Sequence, residues 1–103
     1  MKHLLISTLM AGFVFGATPH PVDAGPIQRA CMNSDRKAAS RSLCRCIQQV
    51  ARGTLSSSDQ RLAASFFKDP HRSQEIRQSD RSRDEAFWDR YKAFGERAQQ
   101  MCS

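Results

Sequence analysis

Apolar residues fall along this chain in two rhythms. From Leu4 to Ala17 they run without a charge, as LLISTLMAGFVFGA, behind the polar head Lys2-His3 and ahead of a Thr18-Pro19-His20-Pro21 break. Beyond that break no second apolar run occurs, and apolar side chains recur instead at spacings of three and four. The first rhythm is that of an export leader: at about 14 residues it falls short of the roughly 20 that a membrane-spanning helix requires. Val22 and Ala24 place modest side chains at the two positions a signal peptidase inspects, whereas a cut after Ala17 would place Phe15 at one of them. The expectation is therefore a signal peptide over residues 1–24 and a single small helical domain over 25–103. No cysteine opens the mature chain to accept lipid.

The second rhythm predicts helices. Gln28 to Ala51 has no internal Gly or Pro, and Leu43, Cys46, Ile47 and Val50 recur on one face, with Gly53 expected as the stop. Its start is open: Asn33 or Ser34 can cap it, or Pro26 can stand near an earlier beginning that takes in Cys31. Ser57-Ser58-Asp59-Gln60 has capping-box spacing ahead of Leu62, Ala63, Phe66 and Phe67, which predicts a second helix capped by Ser57. Asp69-Pro70 predicts a third, fading near Ser79 for want of apolar surface. Ser82 to Glu85 repeats the box before a stripe of Phe87, Tyr91, Phe94, Ala98 and Met101, with Trp88 on its flank and Cys102 close by. The fold expected is an all-α, disulfide-stabilised bundle of three to four helices. Its core is expected to take the six aromatics Phe66, Phe67, Phe87, Trp88, Tyr91 and Phe94 against the aliphatic face of the first helix.

Size gives the cysteines their weight. The chain has 103 residues, and a single core in the part left after the leader is barely enough to hold a fold. Four cysteines in a short exported chain read as a disulfide framework: Cys31, Cys44, Cys46 and Cys102. On a regular helix Cys44 and Cys46 point about 200° apart, which disfavours a bond between them. One of the two then takes Cys31 and the other Cys102, and the long closure could contribute on the order of 4 kcal/mol. The alternative use of the same atoms is thiol redox or soft-metal binding through Cys44 and Cys46, whose thiolates Arg41 and Arg45 would favour.

Charge narrows the partners. The chain carries 16 Lys+Arg against 10 Asp+Glu, a net charge of +6 that the leader's single lysine and single aspartate leave unchanged on removal. Arg36, Lys37, Arg41, Arg45 and Arg52 concentrate it on the first helix, whereas the basic residues of the last helix alternate with acids, as in the i,i+4 pairs Arg81 with Glu85 and Lys92 with Glu96. An arginine-rich face suits carboxylate or phosphate partners. In an exported protein those are an anionic envelope component or an acidic protein. An anionic membrane or a nucleic acid is a second alternative, without recognition-helix or zinc-finger spacing to support the latter. No Ser-His-acid set, carboxylate pair or phosphate loop can be picked out, and His71 reads as a surface residue, so neither an enzyme nor a cofactor is expected.

The run Cys31-Met32-Asn33-Ser34-Asp35-Arg36-Lys37-Ala38-Ala39, then Leu43-Cys44-Arg45-Cys46-Ile47-Gln48, together with Asp59 to Pro70 and Phe87-Trp88-Asp89-Arg90-Tyr91, resembles a family of short exported proteins of marine alphaproteobacteria. Its members are sometimes labelled arginine transporters. The resemblance implies an exported protein and, through that label, at most a periplasmic solute-binding accessory. The function expected is a non-enzymatic secreted or periplasmic accessory or binding protein with a basic helical surface.

Overall fold

The structure, a computed structural model, describes residues 24–35 and 39–103. The predicted leader lies, apart from Ala24, outside the described residues. The described residues form five helices: α1 (Pro26–Met32), α2 (Arg41–Thr54), α3 (Ser57–Lys68), α4 (Pro70–Arg77) and α5 (Ser82–Cys102). The all-α, disulfide-bridged architecture stands, but the count of three to four helices does not.

The extra helix comes from the stretch 28–51, which breaks into α1 and α2. Asn33 ends α1, its N–H reaching Arg29 O, and Ser40 opens α2 by accepting a hydrogen bond from Leu43 N at 3.0 Å. A continuous helix would hold Cys31 and Cys44 roughly 20 Å apart, at a rise of about 1.5 Å per residue. They are bridged with Cα atoms 5.6 Å apart, so the chain has to turn back between them. Gly53 does not stop α2 either; the helix runs through it to Thr54 and ends at Leu55, whose extended backbone (ψ 140) carries a buried side chain into the core.

Capping shifts by one residue from the expected pattern. Ser56, not Ser57, caps α3 by accepting from Asp59 N at 3.2 Å. The side chain that would close the box, Gln60, is drawn inward instead, where its Nε2 donates to Leu55 O at 3.1 Å. At α5, Ser82 is the first helical residue and not its cap. Ser79 organises that start: its hydroxyl donates to Asp84 Oδ2 at 2.7 Å and accepts from Arg81 N at 3.2 Å.

The core gathers Ile27 of α1, Val50, Ala51 and Leu55 from α2 and its end, Ala63 and Phe66 of α3, and Phe87 and Phe94 of α5. Phe66 meets Phe87 and Tyr91 edge-on, with centroids 6.0 and 5.3 Å apart, an arrangement that adds about 1 kcal/mol per pair to the burial of the rings. Phe67, Trp88 and Tyr91 are half-buried at the margin. Met101, expected on the stripe, is 62% exposed, and Cys102 takes the inward place. Both lie about 50° from the stripe's axis, on opposite sides, and the covalent link to Cys46 selects Cys102. The helix α4 buries no side chain fully and touches the core through half-buried Ile76.

A chain of buried amides joins three helices. Gln48 on α2 accepts from Gln28 N of α1 at 3.0 Å through Oε1 and donates through Nε2 to Gln60 Oε1 of α3 at 2.8 Å. Gly25 lies against the Gln48 carboxamide so closely that a Cβ there would fall 2.3 Å from Gln48 Cδ.

Candidate functional site

The cysteines resolve into two unequal bridges. Cys31–Cys44 is sealed, its cysteines 4% and 0% exposed, and pins α1 to α2. Cys46–Cys102 ties the last turn of α5 to α2 across 56 residues, and both its cysteines are half-buried. Cys44 and Cys46 thus belong to different bridges, and a bridged sulfur offers no thiolate for redox or metal chemistry. Among the described residues no three His, Cys, Asp or Glu side chains are gathered as a metal site would need. A small apolar groove of about 230 Å³, formed by Leu43, Ile47 and Ala98, runs beside the Cys46–Cys102 bridge.

Of the predicted basic surface, Arg36 and Lys37 lie outside the described residues. Arg41, Arg45 and Arg52 are exposed and share one outer face of α2, within about 40° of arc. None of the three lines the groove beside the Cys46–Cys102 bridge or the larger cavity between α3, α4 and α5.

The larger cavity lies elsewhere, between α3, α4 and the start of α5, with a volume of about 890 Å³. Its floor is apolar, made by Leu62, Ile76 and Phe87. Its rim carries four arginines: Arg72 from α4, Arg81 from the turn before α5, and Arg83 and Arg90 from α5 itself. Three acids stand among them, and each has a partner. Arg90 forks onto Asp59, Nε to Oδ2 at 2.7 Å and Nη2 to Oδ1 at 3.1 Å. Asp84 accepts from Ser79, and Glu75 lies 3.5 Å from His71 on the exposed side of α4.

Electrostatics follow from that pairing. The hydrogen bonds from the Arg90 guanidinium, with its charge and the donors of Ser56 helping, hold the Asp59 carboxyl below the usual aspartate value despite some desolvation. The same hydrogen bond raises Arg90. Asp59 is thereby fixed as an anion at the N-terminus of α3, where the helix dipole also favours it. Arg72, Arg81 and Arg83 make no ion pair with any described carboxylate. They are the rim's cations outside any such pair, with Glu75 and Asp84 standing among them.

Sequence reasoning placed Arg81, Arg83 and Arg90 on a solvated face of alternating charge and missed this cleft. Arg90 finds its carboxylate 31 residues away instead of on its own helix, and Lys92 pairs with Asp89 at 3.8 Å instead of with Glu96. The one local signal was Ser79-Asp80-Arg81-Ser82-Arg83-Asp84, basic residues interleaved with capping residues at a helix start.

The class that fold and site define is a small all-helical domain with two disulfide bridges and an arginine-rimmed cleft. Comparison with protein-family models, with curated proteins and with solved structures gives no match. No helix among the described residues is long and apolar enough to cross a membrane.

Proposed function

We propose that this protein is an exported, disulfide-stabilised helical binding module that recognises an anionic partner of the bacterial envelope without turning it over. The leader-like residues 1–24, the pairing of all four cysteines and the resemblance to short exported alphaproteobacterial proteins support export to the periplasm or beyond. The observation that carries the binding role is the cleft: three guanidinium groups without carboxylate partners stand around one cavity with an apolar floor. The α2 face of Arg41, Arg45 and Arg52 is the competing surface, but none of its arginines lines that cavity or the groove beside the Cys46–Cys102 bridge.

The two are separated by retention of the full, oxidised chain on an anionic matrix such as dextran sulfate, with neutral dextran as control. Neutralising Arg72, Arg81 and Arg83 together as glutamines is expected to reduce retention far more than neutralising Arg41, Arg45 and Arg52. Equal losses from both sets would reduce the attraction to net charge alone and overturn the cleft as the functional site.

A second reading rests on the half-buried Cys46–Cys102 bridge. An external dithiol reducing it would release the Cys46 and Cys102 thiols and itself become a disulfide, so thiol exchange in this protein would run through that pair and not through Cys44 with Cys46. Resistance of the bridge to millimolar dithiothreitol in the folded state would remove this reading.

A further inference from the structure

We propose that the cleft between α3, α4 and α5 binds a phosphate monoester that carries a short apolar group, the phosphate held by Arg72, Arg81 and Arg83 and the apolar group laid on Leu62, Ile76 and Phe87. This rests on the reading of the cleft as an anion-recognising site and names the ligand chemistry.

Three guanidinium forks from three successive segments line one opening, and none forms an ion pair with a described carboxylate. A carboxylate has two oxygens and is filled by one bidentate fork or two. A phosphate monoester presents three terminal oxygens, which matches three forks in number, and up to two negative charges against a carboxylate's one. Of the rim's acids only Asp59 is paired with an arginine, and none of the three lies within ion-pair distance of Arg72, Arg81 or Arg83. Asp59 is held by Arg90, Asp84 by Ser79, and Glu75 lies beside His71.

The floor supplies the second half of the recognition. Phe87 is 3% exposed, and Leu62 and Ile76 are half-buried beside it, so an apolar substituent would cover their remaining exposed surface. Inorganic phosphate would satisfy only the rim, and the cavity of about 890 Å³ is far larger than such an ion. Arg72 comes from α4, the helix with no fully buried side chain, whereas Arg81 and Arg83 belong to the start of α5. A ligand bridging them would fasten α4 to α5 and slow exchange of its amide protons.

The test is titration of the isotopically labelled full chain, both bridges formed, with phenyl phosphate, inorganic phosphate and benzoate, followed by amide resonances. Expected is saturable movement of resonances in α4 and in residues 79–84 with phenyl phosphate, at affinity about tenfold or more above either of the other two. The variants R72Q and R83Q, both at exposed positions, are expected each to lose about tenfold, while R41Q/R45Q keeps the affinity. Vesicles of phosphatidylcholine with and without phosphatidic acid distinguish a lipid headgroup from a free ester: co-sedimentation that R72Q/R83Q abolishes assigns the lipid. Benzoate binding as tightly as phenyl phosphate would overturn the phosphate assignment while leaving an anion site. Unchanged affinity in R72Q and R83Q would overturn the site itself.

Discussion

Arg90 of α5 closes a two-point fork on Asp59 in the first turn of α3, at 2.7 and 3.1 Å, and so fastens the two helices at the mouth of the cleft. Arg90 takes its partner from another helix, and the Asp59 side chain is only 13% exposed. The pairing keeps one arginine of the rim neutralised and leaves three for a ligand.

Because that fork lowers the Asp59 pKa in the folded protein, it stabilises the fold above the unfolded-state pKa of about 4 and the contribution fades as pH falls through the lower folded value. Asp59→Asn is expected to lower Tm by roughly 3 °C at neutral pH. The difference between wild type and variant should shrink below pH about 4, read by circular dichroism melts across pH. A difference that stays constant down to pH about 2 would contradict the assignment.

The Gln48 amide chain leaves no room beside Gly25. Gly25→Ala must push the Gln48 carboxamide away and break its contacts to Gln28 and Gln60, for an expected loss of about 2 kcal/mol in urea unfolding. Gly53→Ala, with open space around the new methyl on a helical backbone, is expected to stabilise by about 0.5–1 kcal/mol. The two substitutions are chemically the same and opposite in sign.

Reduction is expected to open the bridges in order. Limited dithiothreitol followed by alkylation and peptide mass analysis should label Cys46 and Cys102 before Cys31 and Cys44, because the first pair is half-buried and the second sealed. Loop closure gives a ranking of stability opposite to that of burial: replacing both Cys46 and Cys102 by serine should cost about 4 kcal/mol and replacing both Cys31 and Cys44 about 3 kcal/mol by chain entropy alone. Burial of two serine hydroxyls in the sealed site adds to the second figure.

Capping provides a residue-level check. Ser56→Ala is expected to destabilise by about 1 kcal/mol and Ser57→Ala by a few tenths at most, since Ser56 Oγ accepts from Asp59 N and Ser57 is an exposed first-turn residue. The reverse ranking in thermal unfolding would restore the cap expected from the local pattern.

Much of the fold is legible in the sequence. The stripe on α5, the Asp69-Pro70 entry to α4 and the fading of that helix all follow from spacing and from proline's missing donor, which act over one or two turns. The cleft was not legible in the same way. Arg81, Arg83 and Arg90 look like surface charges on any helical wheel, and nothing local says that α4 will stand opposite them or that Asp59 will claim only one of the four.

The sequence by itself determined an all-helical chain with a basic surplus and four cysteines, because periodicity, capping chemistry and charge are properties of neighbours along the backbone. Only the tertiary structure decided the break between α1 and α2, the choice of Cys102 over Met101 for the inward place, and the cleft. Each depends on groups brought together from distant positions. A bridge that requires Cα atoms 5.6 Å apart overrides helix propensity between Cys31 and Cys44, and a carboxylate 31 residues away takes one arginine and leaves its neighbours unpaired.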